Sequence, residues 1–310
     1  MRPRGGIFGA NVPPSRSTAS GVWTLREATS YTNDGTWPGT AKRVYDDAAG
    51  TVAAYSLRKL FNNYYGPVIT ARRSSDNAER TFLPDQIVDG TLATWTGAGN
   101  NAFVKTWYDQ SGNGYNLTQT TSANQPTIVN SGSVVLDASN PSVLMNGSSG
   151  YMDGEGQDSF GFGTNSFILE CWVRTTAHYS VNQIFDLRVA GDGPVGVPRV
   201  NFALVSGAPV LYVYNAIKIQ GNTLSLNTWT HLCVSRQNTS TRMFINGNQT
   251  GSTWTDSTTY TVGANRPRCG NNGDSVNSAQ SFSGYIDQIR FASGVYRNAS
   301  FTPPNRTGIA

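Results

Sequence analysis

The feature that most constrains the fold is a regular series of short apolar segments in the second half of the chain. Within each segment, large apolar or β-branched residues alternate with smaller or polar ones, as in half-buried β-strands. Gly, Asn, Ser and Pro separate the segments and favour tight turns. Asn246-Gly247 predicts a type I′ hairpin turn, because both residues tolerate positive φ. The predicted strands lie near residues 102–108, 133–137, 142–146, 167–174, 182–188, 200–206, 209–219, 229–236, 241–248 and 282–291.

The composition fits an all-β domain and excludes several classes of protein. Charged residues make up 14% of the chain, against about 25% in typical globular domains. Aromatic and β-branched residues are spread along the chain, so the polar composition does not indicate disorder. The net charge of +4 is dispersed, with no basic and aromatic platform, and we therefore expect no nucleic-acid partner.

The cysteines and the apolar runs indicate the cellular compartment in which the protein is made. Cys171, Cys233 and Cys269 have no metal-binding spacing. Cys171 and Cys233 lie in apolar strand patterns, and we expect them to be buried free thiols in a reducing environment. No apolar run approaches the length of a membrane span, and the residues after Met1 do not form a signal peptide. We expect no membrane insertion, and synthesis in the cytoplasm of a host cell.

Five short motifs between residues 50 and 130 keep a characteristic order. They are Ala53-Ala54-Tyr55-Ser56-Leu57-Arg58, Gly66-Pro67, Arg72-Arg73-Ser74-Ser75-Asp76-Asn77, Trp107-Tyr108-Asp109-Gln110-Ser111-Gly112-Asn113-Gly114 and Ala123-Asn124-Gln125-Pro126. This set resembles the amino-terminal half of the catalytic domain of fungal α-L-arabinofuranosidase B. Similar segments recur in structural proteins of tailed bacteriophages.

A second resemblance covers residues 145–300. The motifs Glu170-Cys171-Trp172-Val173, Trp229-Thr230-His231, Phe244-Ile245-Asn246-Gly247 and Gly284-Tyr285-Ile286-Asp287 resemble the laminin-G and pentraxin-like jelly roll. Both resemblances imply one concanavalin A-like jelly-roll sandwich, which we place at residues 46–303. We predict one short helix over residues 48–62, because its apolar residues recur at helical spacing. Residues 304–310 form a predicted tail.

Residues 1–45 show no strand alternation but carry isolated large apolar side chains. An irregular segment of this kind typically buries its anchors on a partner. The alternative is an arm that packs on its own domain. The predicted anchors are Phe8, Trp23, Leu25 and Trp37.

Glycoside hydrolysis requires two facing carboxyl groups, and the sequence does not identify the pair. Glu170 shares a predicted strand face with Trp172, but it could equally pair with Arg174 on a surface. Asp109 lies in a turn where an aspartate commonly bonds its own backbone. Asp76 and Asp287 are equally ambiguous. We therefore assign no catalytic residue and predict that the chain is not an enzyme.

Two kinds of ligand site are considered instead. Exposed aromatic rings stack on sugars, and the candidates for glycan binding are Trp172, Tyr212, Tyr214 and Trp254. Acidic, Gly-rich turns supply oxygen ligands for calcium, which is the only cofactor considered. The weak calcium candidates are Asp153, Glu155, Asp158 and Asp274.

These observations together predict a virion structural protein of a tailed phage. The arm would attach it to capsid, portal or tail proteins, as a capsid decoration, head fibre, knob or tail appendage. The jelly roll would be displayed as a dimer or trimer and would adhere to host surface polysaccharide. The alternative is an α-L-arabinofuranosidase-like glycoside hydrolase.

Overall fold

A computed structural model describes residues 13–15, 19, 23–34, 36–38, 43–137, 140–192 and 197–306. Phe8 lies outside the described residues. The strands before residue 150 are β1 (Thr51–Tyr55), β2 (Ile69–Arg73), β3 (Glu79–Phe82), β4 (Ala102–Trp107), β5 (Leu117–Thr118), β6 (Thr127–Asn130), β7 (Ser133–Val134), β8 (Leu136–Asp137), β9 (Asn140–Pro141) and β10 (Val143–Asn146). Those after it are β11 (Met152–Asp153), β12 (Phe167–Thr175), β13 (Asn182–Asp186), β14 (Asn201–Val205), β15 (Ala208–Val213), β16 (Ala216–Gln220), β17 (Thr230–Gln237), β18 (Ser240–Ile245), β19 (Asn248–Thr255), β20 (Arg268–Cys269) and β21 (Ser283–Ser293). The helices are α1 (Leu25–Asn33), α2 (Pro84–Val88) and α3 (Thr91–Thr96).

Two runs of antiparallel strands form the layers of a sandwich, which confirms the predicted all-β class. The first layer follows the order β3-β2-β4-β6-β10-β21-β12-β17-β18-β19. The second follows β5-β11-β20-β13-β14-β15-β16. Pairing of β4 with β5 joins the two layers along one side.

Strand β21 is the centre of the first layer. One of its edges pairs with β12 along almost its whole length. The other edge is shared, because β10 pairs with its first half and β1 with its second half. Opposite Cys171, residues Gln288 and Ile289 form a bulge, and Gln288 adopts a φ of 47°. The bulge places Asp287 and Arg290 on the same outward face of the layer.

The main core lies between the layers, and the outer face of the first layer is also covered. Its largest fully buried side chains include Trp107, Tyr55, Phe82, Phe160, Phe167, Phe185, Phe202, Phe282 and Phe291. On the outer face, Ile168, Cys233, Phe244 and Ala292 form a separate buried cluster, against which Val295 and Phe301 pack. All three cysteines are buried free thiols, as predicted for Cys171 and Cys233.

The helix predicted over residues 48–62 is wrong. Residues Thr51–Tyr55 form β1 instead, and Ala53 and Tyr55 face the main core. The free edge of β21 supplies backbone partners for this segment, and tertiary pairing overrides the helical spacing of its apolar residues. The segment predicted near 209–219 is two strands, because Tyr214 and Asn215 both have positive φ and form a hairpin turn.

Residues 23–37 contain helix α1, which the sequence analysis did not predict. Thr24 caps it in a capping box with Glu27. Trp23 packs edge-on against Tyr31 and Trp37, with ring centroids 5.2 Å and 5.9 Å away. Leu25 is 84% exposed. That these residues anchor the chain to a partner stays a prediction.

Candidate functional site

A polar pocket opens on the outer face of the second layer. Its volume is about 160 Å³, and it is lined by Val181, Gln183, Arg188, Asn201, Tyr212, Asn215, Asn272 and Gln280. Strand register brings the central residues together, since Asp186 lies opposite Asn201 and Asn201 lies opposite Tyr212. Facing residues on paired strands project from the same side of a sheet, so three neighbouring strands contribute to one site.

Asp186 lies beneath this pocket, bonded to three of its lining residues, and has no solvent exposure. Its carboxylate accepts hydrogen bonds from Arg188 Nη2 at 2.7 Å and Arg188 Nε at 3.0 Å. The backbone N–H of Gly273 donates to it at 2.8 Å. This paired and hydrogen-bonded environment satisfies the buried charge, which would otherwise be costly.

The same carboxylate fixes the orientation of two amide side chains. Gln183 Nε2 and Asn201 Nδ2 each donate to Asp186 Oδ2 at 3.1 Å. Their carbonyl oxygens, Gln183 Oε1 and Asn201 Oδ1, are buried and accept no hydrogen bond from the described residues. Buried acceptors without partners are uncommon in folded proteins. Because both residues line the pocket, it is a candidate site for a ligand that donates hydrogen bonds.

Arg188 and Tyr212 complete the lining. Burial acts to lower the pKa of Arg188, but hydrogen bonds and charge from Asp186 outweigh it and raise that pKa. Arg188 Nη1 donates to Asn215 at 2.8 Å. Burial raises the pKa of Tyr212, and the nearby charge of Arg188 opposes the rise. The phenol is thus neutral at pH 7, and its ring is partly exposed beside the pocket.

A second carboxyl group, that of Asp274, lies two residues after the lining residue Asn272. The residue before it, Gly273, bonds Asp186 directly, and Asp274 is partly exposed. Asp274 Oδ1 accepts the backbone N–H of Gly191 at 3.0 Å. The charge of Asp274 also contributes to the raised pKa of Arg188. One buried and one partly exposed carboxyl group therefore lie close to a single pocket.

Of the four aromatic residues predicted to bind glycans, only Tyr212 lines this pocket. Tyr214 lies beyond the end of the same strand and is 42% exposed. Trp172 lies on the other layer, where its indole N–H donates to Pro304 O at 3.0 Å. Trp254 packs against the main core, and Lys218 lies over its ring.

The calcium candidates lie in different environments. Asp153 is held by Arg268, which donates at 2.7 Å and 2.8 Å, and Glu155 and Asp158 are exposed. In the part of the chain that the structure describes, no three acidic, His or Cys side chains are placed to hold a metal ion. No helix among the same residues is long and apolar enough to cross a bilayer.

Glu170 does not face an open groove. It is fully buried, and it pairs with Arg290 at 2.9 Å and Arg297 at 3.2 Å rather than with Arg174. Burial acts to raise the pKa of Glu170, but His231 and the two guanidinium groups outweigh it and hold that pKa well below 4.5. Glu170 is therefore a structural ion pair beneath the segment that carries Phe301.

The other carboxylates considered from the sequence also have structural partners. Asp109 accepts hydrogen bonds from the backbone N–H groups of Ala54, Ser111 and Tyr115. Asp76 accepts two hydrogen bonds from Arg73, which lower its pKa to about 2. Asp287 accepts from Ser56 Oγ at 2.6 Å.

The central residues of the pocket were missed in the sequence analysis. Gln183, Asp186 and Arg188 interrupt an otherwise apolar strand segment, Asn182–Arg188, and that interruption is the only local signal. Asn201 and Asn272 come from distant positions and form no motif with them. Only the strand register places the five side chains together.

Comparisons with known proteins agree with this fold. Residues 146–299 match the family model for the concanavalin A-like lectin/glucanases superfamily. Residues 43–154 match the model for the catalytic domain of α-L-arabinofuranosidase B. The sandwich is therefore a concanavalin A-like jelly roll, as predicted, and its first part is arabinofuranosidase-like. No curated protein sequence matches the chain at a significant level.

Two solved structures with a similar fold are arabinofuranosidases. One is an arabinofuranosidase complexed with arabinofuranosyl-alpha-1,2-xylobiose, with 16% identity, a TM-score of 0.60 and coverage of 82% of this chain. Another is a GH54 α-L-arabinofuranosidase soaked with a cyclic sulfate inhibitor, with 17% identity, a TM-score of 0.59 and the same coverage. This chain spans 61% of the length of each.

These matches overturn the prediction of a non-enzymatic phage virion protein. The matched family model is that of a catalytic domain, and the structural neighbours are glycoside hydrolases. Nothing in the matches indicates a capsid, portal or tail protein. The alternative considered from the sequence, an arabinofuranosidase-like glycoside hydrolase, is the better supported function.

Proposed function

We propose that this chain is a carbohydrate-active domain of the glycoside hydrolase type, and that its polar pocket binds an arabinofuranosyl unit. The observation that carries the proposal is the pair of orphaned amide oxygens, Gln183 Oε1 and Asn201 Oδ1, beside the buried Asp186. The hydroxyl groups of a sugar are donors that match these acceptors. The sugar identity follows the arabinofuranosidase relatives.

The volume and lining of the pocket support a single small sugar. A cavity of about 160 Å³ accommodates one ring rather than an oligosaccharide chain. Tyr212 supplies a partly exposed ring on which the apolar face of a sugar can pack. Arg188 supplies fixed donors, since Asp186 and Asn215 hold its guanidinium in place.

For the reaction we assign Asp186 and Asp274 as the carboxyl pair. Asp186 is paired with Arg188, lies beneath the pocket and is the second carboxylate of the proposed pair. Asp274 is partly exposed, and its Oδ2 accepts no hydrogen bond from the described residues, so it is the member of the pair that a leaving group can reach. Glycoside hydrolysis needs one ionised carboxylate and one carboxylic acid on opposite sides of the scissile bond.

The test is a release assay with 4-nitrophenyl α-L-arabinofuranoside, together with calorimetric binding of arabinose. We expect release by the native protein and a loss of about 100-fold or more in Asp274→Asn, with arabinose binding retained. Asn201→Leu should lose binding, because it removes one of the two pocket acceptors. Asp158→Asn, an exposed aspartate elsewhere, is the matched control.

Three results would separate the parts of this proposal. Release that is unchanged in Asp274→Asn would remove that residue from the reaction. Arabinose binding without any release would leave a sugar-binding pocket and reject hydrolysis. Neither binding nor release, in a protein that is folded by circular dichroism, would reject the pocket as a sugar site.

A further inference from the structure

A larger cavity, of about 470 Å³, lies away from the polar pocket, where residues 58–65 face helix α2 and Pro141. One wall is cationic and carries Arg58 and Lys59, and the opposite wall is apolar. We propose that this cavity binds a carboxylate carried on a ring-shaped body. The site uses none of the residues of the polar pocket, so it stands independently of the proposed hydrolase function.

The cationic wall offers donors without acceptors. Arg58 Nε and Nη2 are buried and make no hydrogen bond with the described residues, and the same is true of Arg43 Nε. Lys59 Nζ lies 4.3 Å from the centroid of the Tyr65 ring, and no described residue accepts a hydrogen bond from it. Arg43, Arg58 and Lys59 thus place three positive charges around one cavity, which favours an anionic ligand.

Nearby carboxylates make no hydrogen bond with these donors. The closest, Asp287 Oδ2, forms an ion pair with Arg58 Nη2 at 3.7 Å, which is too long for a hydrogen bond. Asp46 instead accepts from the backbone N–H of Arg43 and from Asn62. Asp85 lines the exposed rim of the cavity without a hydrogen bond to Lys59.

The protonation behaviour of Lys59 agrees with this geometry. Burial lowers the pKa of Lys59, and the positive charge of Arg43 lowers it further, although Asp46, Asp85 and Asp34 oppose the change. An anion bound between Arg43 and Lys59 would relieve both effects, because it restores an opposite charge to a partly desolvated ammonium.

The opposite wall defines the rest of the ligand. Leu83 is 44% exposed and Val88 is 64% exposed. Pro84 and Pro141 extend the same apolar surface, and Tyr65 faces it across the cavity. An apolar wall opposite a cationic one suits a flat body with a single acidic group, since each part meets its complement.

Three hydrogen bonds of Gln110 fix the backbone on one side of the cavity. Its Nε2 donates to Ser56 O at 3.0 Å and to Arg58 O at 2.8 Å, and its Oε1 accepts from Leu60 N at 2.8 Å. These bonds fix the backbone that carries Arg58 and Lys59. A site fixed before binding loses little entropy when a ligand enters.

The required chemistry occurs in two sources, a uronic acid unit of a polysaccharide and a free aromatic carboxylic acid. Isothermal titration calorimetry at low salt would compare trigalacturonate, its methyl ester and 4-hydroxycinnamate. We expect at least one of the two acids to bind. If the source is a uronate, the uncharged ester should bind at least tenfold more weakly than trigalacturonate. Binding of the cinnamate alone would assign the free acid as the source.

Variants locate the binding. Lys59→Met should weaken binding of the acid by about tenfold or more, whereas Lys218→Met, which removes another lysine lying over an aromatic ring, should not change it. Arg58→Met should act like Lys59→Met, with its fold checked by circular dichroism. Asp274→Asn and Asn201→Leu should bind the acid normally, which separates this site from the polar pocket. No binding by either acid, or unchanged binding in Lys59→Met, would overturn the proposal.

Discussion

The carboxylate of Asp109 accepts the backbone N–H of Ala54 at 2.9 Å, and so ties a turn after β4 to the strand that borders β21. The same carboxylate holds the N–H groups of Ser111 and Tyr115 and the hydroxyl of Ser111. The motif at residues 107–114 therefore has a structural role, because Asp109 holds its own turn against β1. Its neighbour Gln110 performs the same role for residues 56–60.

Asp109→Ala should lower the free energy of unfolding by about 3 kcal/mol, because several buried donors lose their acceptor at once. Urea unfolding followed by tryptophan fluorescence measures the change. Asp158→Ala removes an exposed aspartate and should leave stability unchanged. Equal stability of both variants would show that the hydrogen bonds of Asp109 do not stabilise the fold.

Glu170→Gln should destabilise the fold at pH 7 by about 3 kcal/mol, since Arg290 and Arg297 keep their charge in a buried place without a counter-ion. The pKa of Glu170 is depressed in the folded state, so its contribution is present above 4.5 and is lost as the pH falls below that value. The difference in free energy of unfolding between the native protein and the variant should therefore become smaller at acid pH. Urea midpoints at pH 7 and pH 3.5 would test this, and a constant difference would contradict it.

Asn246 combines two roles in its hairpin turn. Its φ is 49°, and its Oδ1 accepts the backbone N–H of His231 at 2.9 Å. Asn246→Gly should cost about 1 kcal/mol for the lost hydrogen bond. Asn246→Ala should cost about 2 kcal/mol, because it adds the strain of a positive φ. Thermal unfolding ranks the two variants, and equal costs would exclude a contribution from backbone strain.

Gln183→Glu places a second carboxylate beside Asp186, whose oxygen lies 3.1 Å from Gln183 Nε2. Repulsion and burial should raise the pKa of the new glutamate in the folded state above its usual value of about 4.3. The free energy of unfolding of the variant should then fall as the pH rises through that folded-state pKa. Urea unfolding at pH 5 and pH 7 should show a larger loss at pH 7. Gln183→Leu, which cannot titrate, should show the same loss at both.

The strands were predictable because alternation is a local property of the sequence. Residues Ala102–Trp107, Phe167–Thr175 and Thr230–Gln237 form strands where the pattern placed them. The error over residues 48–62 arose because Ala53, Leu57 and Leu60 also satisfy helical spacing. Whether this segment forms a helix or a strand depends on pairing with the edge of β21, which lies more than 200 positions away in the chain.

The pocket was harder to predict than the fold. Tyr212 was a candidate as a glycan-binding ring, and Asp274 as a calcium ligand, but no local pattern joins them to Asp186. Asp186 and Gly273 meet because β13 pairs with β20. A site assembled by register from four separate segments leaves no spacing signature in the sequence.

Strand β21 has a consequence for how the protein is made. Strands β1, β10 and β12 all pair with the backbone of Ser283–Ser293, so a ribosome must synthesise the chain as far as residue 293 before the first layer can close. Until then the earlier segments would expose unsatisfied strand edges, which are prone to aggregate. The first layer should therefore fold only after residue 293 has left the ribosome, and nascent chains that stall ahead of residue 283 should depend on chaperones.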